Sequence, residues 1–132
     1  ITIATRSSWI GMAGPAMISG GGLGEFKPSD IGPIETQSKN GVVDIVAENE
    51  QEACSIAKKL ISLFYSKHQP TNLADHSEQE ILRRLIPSNR KEAYAIRDVL
   101  KTVCDSDSFI ELQRDFGKAM IIGFMQINGN SI

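Results

Sequence analysis

A run rich in β-branched residues, Val42-Val43-Asp44-Ile45-Val46-Ala47, leads within a few residues into an amphipathic helix. That succession constrains the fold more than any other feature of the chain. The run reads as a buried strand, because β-branched side chains fit a pleated surface. Asn49, with Glu52 three residues on, is an N-cap in a variant of the capping-box pattern. Ala53, Ile56, Ala57, Leu60, Ile61 and Phe64 then recur at three- and four-residue steps and form one apolar face. Strand followed by helix, in a stretch that also carries glycine-rich turns, implies an α/β layer.

The residues before this unit alternate short apolar runs with glycine. Ile1 to Thr5 is extended, and the apolar theme returns from Trp9 to Ile18. Pro15, after Gly14, can open a helical turn, since its missing N–H would have no partner there. Gly20 to Gly24 must be irregular backbone. The chain starts on Ile1, within a strand, which suggests a start inside a longer polypeptide.

Three parts follow from this reading: residues 1–66, a connector at 67–90, and residues 91–132. The connector is polar, carries Pro70 and Pro87, and holds one short helix opened by a capping box of Ser77 and Glu80. The third part begins with a helix whose face carries Ala93, Ile96, Val99, Leu100 and Val103. Asp105-Ser106-Asp107 breaks it, and Ser108 to Gln113 is a strand. Ala119 to Ile127 is nearly all apolar and reads as a strand buried on both faces. Asn128-Gly129 is a strong two-residue hairpin signal, and the returning strand has only begun at Ile132. An apolar edge without its partner strand recruits another chain, so homo-oligomers are expected.

Charge and composition remove several functions. Of 132 residues, 41% are hydrophobic and 23% charged, the balance of a folded domain, and the formal net charge is −2. Nothing there draws nucleic acid or an anionic membrane as partner. No apolar run approaches the roughly 18 residues a bilayer span needs. The two cysteines, Cys54 and Cys104, have no metal-binding spacing and read as buried or half-buried thiols of a reducing, cytoplasmic setting. No metal site is expected.

Side-chain chemistry is sparse. Gly20 to Gly24 lacks the Gly-Lys-Ser/Thr ending of a P-loop, and Glu25 takes the last glycine position of G-x-G-x-x-G. His68 and His76 lie in the connector without a nucleophile motif nearby. Asp105, Asp107 and Glu111 lack calcium-loop spacing, and turn-forming aspartates before a strand explain them better. The basic residues of Arg83 to Lys91 fit a solvated helix face. By spacing alone the chain names no catalytic residue.

The order of motifs says more. Ile10-Gly11-Met12-Ala13-Gly14-Pro15-Ala16-Met17-Ile18, then Gly22-Leu23-Gly24-Glu25, Ile31-Gly32-Pro33 and Gly41-Val42-Val43-Asp44, resembles the close of the N-terminal half of acyl-CoA carboxylase carboxyltransferases. Tyr94 to Leu100 resembles the opening helix of that family's C-terminal half. Ser108 to Leu112 and Gly123-Phe124 through Asn128-Gly129 resemble its first strands.

The resemblance implies pieces of a crotonase-like β-β-α superhelix. It further implies transfer of a carboxyl group from carboxybiotin, on a carrier domain or subunit, to an acyl-CoA. A biotin carboxyl carrier and a biotin carboxylase would be the partners. In such chemistry paired backbone N–H groups stabilise the thioester oxyanion, so few polar side chains are needed. The family's glycine pairs for this task would lie upstream of Ile1 and downstream of Ile132, so the 132 residues alone are expected to be inactive. Gly14, Pro15 and Ala16 are the candidate substrate-binding residues; a tight strand-to-helix turn without ligand contact is the alternative. Gln37 stands near a position where many members carry histidine, and Gly32-Pro33 near a glycine pair. Two further readings compete: a non-enzymatic α/β interaction module, and another crotonase-type acyl-CoA enzyme such as a decarboxylase.

Overall fold

A computed structural model describes residues 1–65 and 80–132. In chain order the elements are β1 (Ile3–Thr5), α1 (Pro15–Gly20), a 3-10 turn (Pro28–Asp30), α2 (Ile34–Lys39), β2 (Ile45–Ala47), α3 (Glu50–Tyr65) and α4 (Glu80–Leu85). They continue with α5 (Ile96–Val103), β3 (Ile110–Leu112), β4 (Ile122–Phe124), β5 (Gln126–Ile127) and β6 (Asn130–Ser131). Helices mixed with short strands give an α/β chain, and among the described residues the strands form three two-stranded sheets: β1–β2, β3–β4 and β5–β6. Two compact units divide the chain: Ile1–Lys58 with Leu112–Ile122, and Lys59–Glu111 with Gly123–Ile132.

In the first unit β1 and β2 run parallel, with Ile3 opposite Ile45 and Thr5 opposite Ala47. Parallel pairing needs a crossover, and the segment carrying α1 and α2 supplies it. Ala4, Ile34 and Val43 form the core, joined by Ile10 and Val46. Removing such side chains from water is the main stabilising term.

The expected strand over Val42 to Ala47 is shorter. Helix α2 ends on Gly41 at φ +82, and the N–H of Val42 returns to the carbonyl of Gln37 at 3.0 Å. This is the long bond of a Schellman closure, so Val42 and Val43 serve the end of α2 and pairing starts at Ile45. Val43 is still wholly buried, whereas Val42 is exposed.

The cap of α3 forms much as expected. Asn49 Oδ1 accepts the N–H of Glu52 at 2.9 Å, and Glu52 Oε2 accepts the N–H of Glu48 at 2.7 Å. The reciprocal bond thus lands one residue before the cap. The apolar face forms as expected over Ala53, Ile56, Ala57 and Leu60, which are half-buried or buried, and departs only at its end: Leu63 is buried, while Ile61 and Phe64 are more than half exposed. Spacing places residues on a helix, but the neighbours decide which edge of the stripe is covered.

In the second unit α5 starts at Ile96, with Ala95 as its cap residue, so Ala93 lies before the helix. Phe64 and Phe124 meet edge to face, with ring centroids 5.2 Å apart. Hairpin β5–β6 turns on Asn128 (φ 52) and Gly129 (φ 74), the left-handed pair that a two-residue turn of this type requires.

Ala119 to Ile127 is not one strand buried on both faces. It divides into a turn, β4 and β5, and Met120 and Ile122 are exposed. Met125 exchanges both backbone bonds with Ile132, at 3.1 and 2.9 Å, which closes the hairpin at its open end. The strand expected from Ser108 to Gln113 contracts to Ile110–Leu112, since Gln113 turns to φ 51. Cys104 is buried as expected, but Cys54 is exposed on α3. His68, His76 and Ser77 lie outside the described residues.

Candidate functional site

Gly14, Pro15 and Ala16 sit where the chain enters α1, and the segment leading to them is held at Trp9 and Ile10. Trp9 bridges Pro33 in an antiparallel pair, and the N–H of Ile10 donates to the carbonyl of Gly32 at 2.7 Å. Gln37 Nε2 donates to the carbonyl of Ile10. Gly32 stands at φ +65, and a Cβ there would run into that same carbonyl. Only glycine fits this approach. Gln37 therefore has a role in the first unit that sequence reading noted only as a departure.

From Ile10 the chain turns through Gly11, where a Cβ would come within 2.6 Å of Ile31 Cγ2. Gly14 is the extended N-cap residue and Pro15 is the first helical residue. The Gly14 carbonyl accepts the N–H groups of Met17 and Ile18 at 3.1 and 3.3 Å. Pro15 has no N–H, and the amides of Gly14 and Ala16 find no acceptor among the described residues.

The glycines after α1 close that helix. Gly22 N–H returns to Ser19 and Leu23 N–H returns to Ile18, at 3.0 and 3.2 Å, with Gly22 at φ +71. Both bonds of a Schellman motif are present. The amides of Gly21, Gly22 and Leu23 are thus committed to the helix end and are not presented to a phosphate.

In the sequence on either side of this turn several apolar side chains are exposed. Met12 is fully exposed, and Trp9, Met17, Leu23 and Phe26 are exposed as well. The turn itself carries no acid, base or nucleophile. It offers two backbone donors with the exposed side chains of Met12 and Met17 adjacent in sequence, a set suited to a polar carbonyl and an aliphatic chain but unable to move a proton through a side chain. These side chains were legible only as an apolar run, because exposure is not written in the sequence.

Other titratable residues are held structurally. Both Asp105 oxygens accept hairpin amides, from Asn128 at 3.0 Å and Gly129 at 2.7 Å. Glu111 binds Arg97. Hydrogen bonding to Glu111, reinforced by its charge and opposed by desolvation, raises the Arg97 pKa, so the guanidinium stays charged. Among the described residues no group of three or more His, Cys, Asp or Glu could hold a metal ion. Among them, too, no helix is long and apolar enough to cross a membrane.

The family model described as carboxyl transferase domain matches residues 1–132. The methylmalonyl-CoA carboxyltransferase 12S subunit of Propionibacterium freudenreichii subsp. shermanii is 26% identical over 98% of this chain and 26% of its own length. The propionyl-CoA carboxylase beta chain of Rhodococcus erythropolis is 28% identical over 76% of this chain and 22% of its own. The chain thus spans about a quarter of the curated relatives it matches. Among solved structures, a single-chain, multi-domain long-chain acyl-CoA carboxylase superposes with a TM-score of 0.91 at 38% identity, over 98% of this chain and 13% of that one. The transcarboxylase 12S hexamer with hydrolysed methylmalonyl-CoA bound gives 0.81 at 25%, over 98% of this chain and 27% of that one.

Proposed function

The chain belongs to the carboxyl transferase domain family, and on that premise we propose that it is a segment of an enzyme moving a carboxyl group from carboxybiotin to an acyl-CoA. The observation that carries this reading is the family match along residues 1–132. The 38% identity to the long-chain acyl-CoA carboxylase supports it further. Motif order supports placing residues 1–66 at the end of a crotonase-like N-terminal half and residues 91–132 at the start of the C-terminal half. Biotin carboxyl carrier and biotin carboxylase components would be the partners, in a cytoplasmic homo-oligomer; the transcarboxylase 12S relative assembles as a hexamer.

Gly14, Pro15 and Ala16 would border the acyl-CoA. The amides of Gly14 and Ala16 can donate to a thioester or amide oxygen, and the exposed side chains of Met12 and Met17 can cover an acyl or pantetheine chain. The biotin ring is another matter. Its ureido group needs polar partners converging on an enclosed pocket, whereas a Cβ added at Gly14 would meet nothing within 4 Å. This open turn does not fit the ring, and carboxybiotin is left to other parts of the enzyme.

The test supplies the whole gene product with a labelled carboxybiotin carrier and acetyl-CoA or propionyl-CoA. Label should appear in malonyl-CoA or methylmalonyl-CoA. A folded product that transfers label to no acyl-CoA overturns the reading, and the 132 residues alone should transfer none. In the active enzyme Ala16→Phe should raise KM for the acyl-CoA more than it lowers kcat. An unchanged KM would remove this turn from the substrate site.

A further inference from the structure

The Asn128-Gly129 turn carries a chemistry that the carboxyl-transfer reading does not use. An asparagine followed by glycine can cyclise: the Gly129 nitrogen attacks Asn128 Cγ, a C–N bond forms, and the Cγ–Nδ2 bond breaks. Ammonia leaves with the proton lost from the Gly129 amide. Water then opens the ring at either carbonyl, giving aspartate or isoaspartate. Neither an oxidant nor a cofactor is needed, and glycine leaves the attack sterically open. Asparagine is accordingly among the thermolabile residues.

Here the attacking nitrogen is engaged. Gly129 is buried, and its N–H donates to Asp105 Oδ2 at 2.7 Å. Asn128 N–H donates to the other carboxylate oxygen at 3.0 Å. Asp105 is itself only 5% exposed. It is anchored at both ends of its peptide unit, its N–H on the Gln126 carbonyl at 2.8 Å and its carbonyl on Ser108 N–H at 3.0 Å. Ser108 Oγ adds a bond from Gln126 N–H at 3.1 Å. A carboxylate set against this amide disfavours the nitrogen anion that must attack Cγ, because like charges in a buried place repel.

We propose that Asn128 is a succinimide-forming modification site held shut by the Asp105 carboxylate on the Gly129 amide. Opening the hairpin frees the Gly129 amide for attack. Once converted, the site cannot close again as before: isoaspartate lengthens the backbone of a two-residue turn, and aspartate sets a second carboxylate beside Asp105. The hairpin therefore records past opening as a covalent change.

The whole gene product carrying this chain is incubated at mildly alkaline pH, natively and in denaturant, beside Asp105→Asn. Peptide mapping by mass spectrometry then counts aspartate and isoaspartate at position 128. Charge-assisted bonds of this kind make conversion roughly tenfold to a hundredfold slower in the native protein than in denaturant. Asp105→Asn, with native circular dichroism, should recover much of that factor. Equal native and denatured rates would overturn the proposal, as would a folded Asp105→Asn protein no faster than the parent. Should that variant not fold, amide hydrogen exchange of the parent decides: a protected Gly129 amide supports the lock, and exchange at the free-peptide rate refutes it.

Discussion

Arg97 on α5 grips Glu111 on β3 with two nitrogens: Nη2 lies 2.6 Å from Oε1, and Nε lies 3.0 Å from both carboxylate oxygens. The Glu111 side chain is 13% exposed and that of Arg97 38%, so the carboxylate end of the contact is shielded while the guanidinium keeps access to water. The planar guanidinium matches the carboxylate as no ammonium can. Arg97→Lys should lower the melting temperature, and Arg97→Ala should lower it further. Equal melting temperatures for all three proteins would mean the pair adds nothing. The pH dependence follows from the raised arginine pKa. Its stabilisation is complete below the unfolded value and is lost only as pH climbs through the folded one. Both lie far above neutrality, so the arginine contributes no slope between mild acid and mild alkali.

Asn49→Ala removes the side-chain acceptor at the start of α3. Loss of such a cap costs about 1 kcal/mol, read as a shift of the denaturant midpoint at constant m-value. Asn49→Asp should restore most of it. A neutral alanine variant would mean that the Glu52 contact to Glu48 alone holds the helix start.

Gly32→Ala should be among the most damaging single-methyl changes in the first unit. The left-handed backbone alone costs a side chain about 1–3 kcal/mol. The new Cβ also collides with the Ile10 carbonyl that Gln37 holds. Gln37→Leu should be milder, because the Ile10 N–H bond to Gly32 remains. Urea unfolding of both variants checks the ranking, and a stable Gly32→Ala protein would reject this geometry.

The two thiols should react in sequence. Cys54 is exposed on α3, while Cys104 is buried at the end of α5 with its Sγ 3.6 Å from the Lys101 carbonyl. A small alkylating reagent under native conditions should modify Cys54 first, and Cys104 only as the protein unfolds. Mass mapping after brief labelling reads this directly. Rapid native labelling of Cys104 would count against its burial.

What the sequence determined is local, and the reason is that a few neighbouring residues suffice. Pro15 opens α1, Asn49 caps α3, and Asn128-Gly129 makes the hairpin, because each sets its own dihedrals or its own hydrogen bond. Family membership was legible too, since a succession of weak motifs in order is far more specific than any one of them. The tertiary structure alone decided the rest. Leu63 rather than Ile61 or Phe64 is covered, Ala119 to Ile127 divides, and Val42 closes α2 instead of extending β2. Asp105 had the look of a turn residue; its partners 23 and 24 residues away gave it the hairpin to hold. Burial and pairing of this kind depend on which distant segment arrives, and no local pattern encodes that arrival.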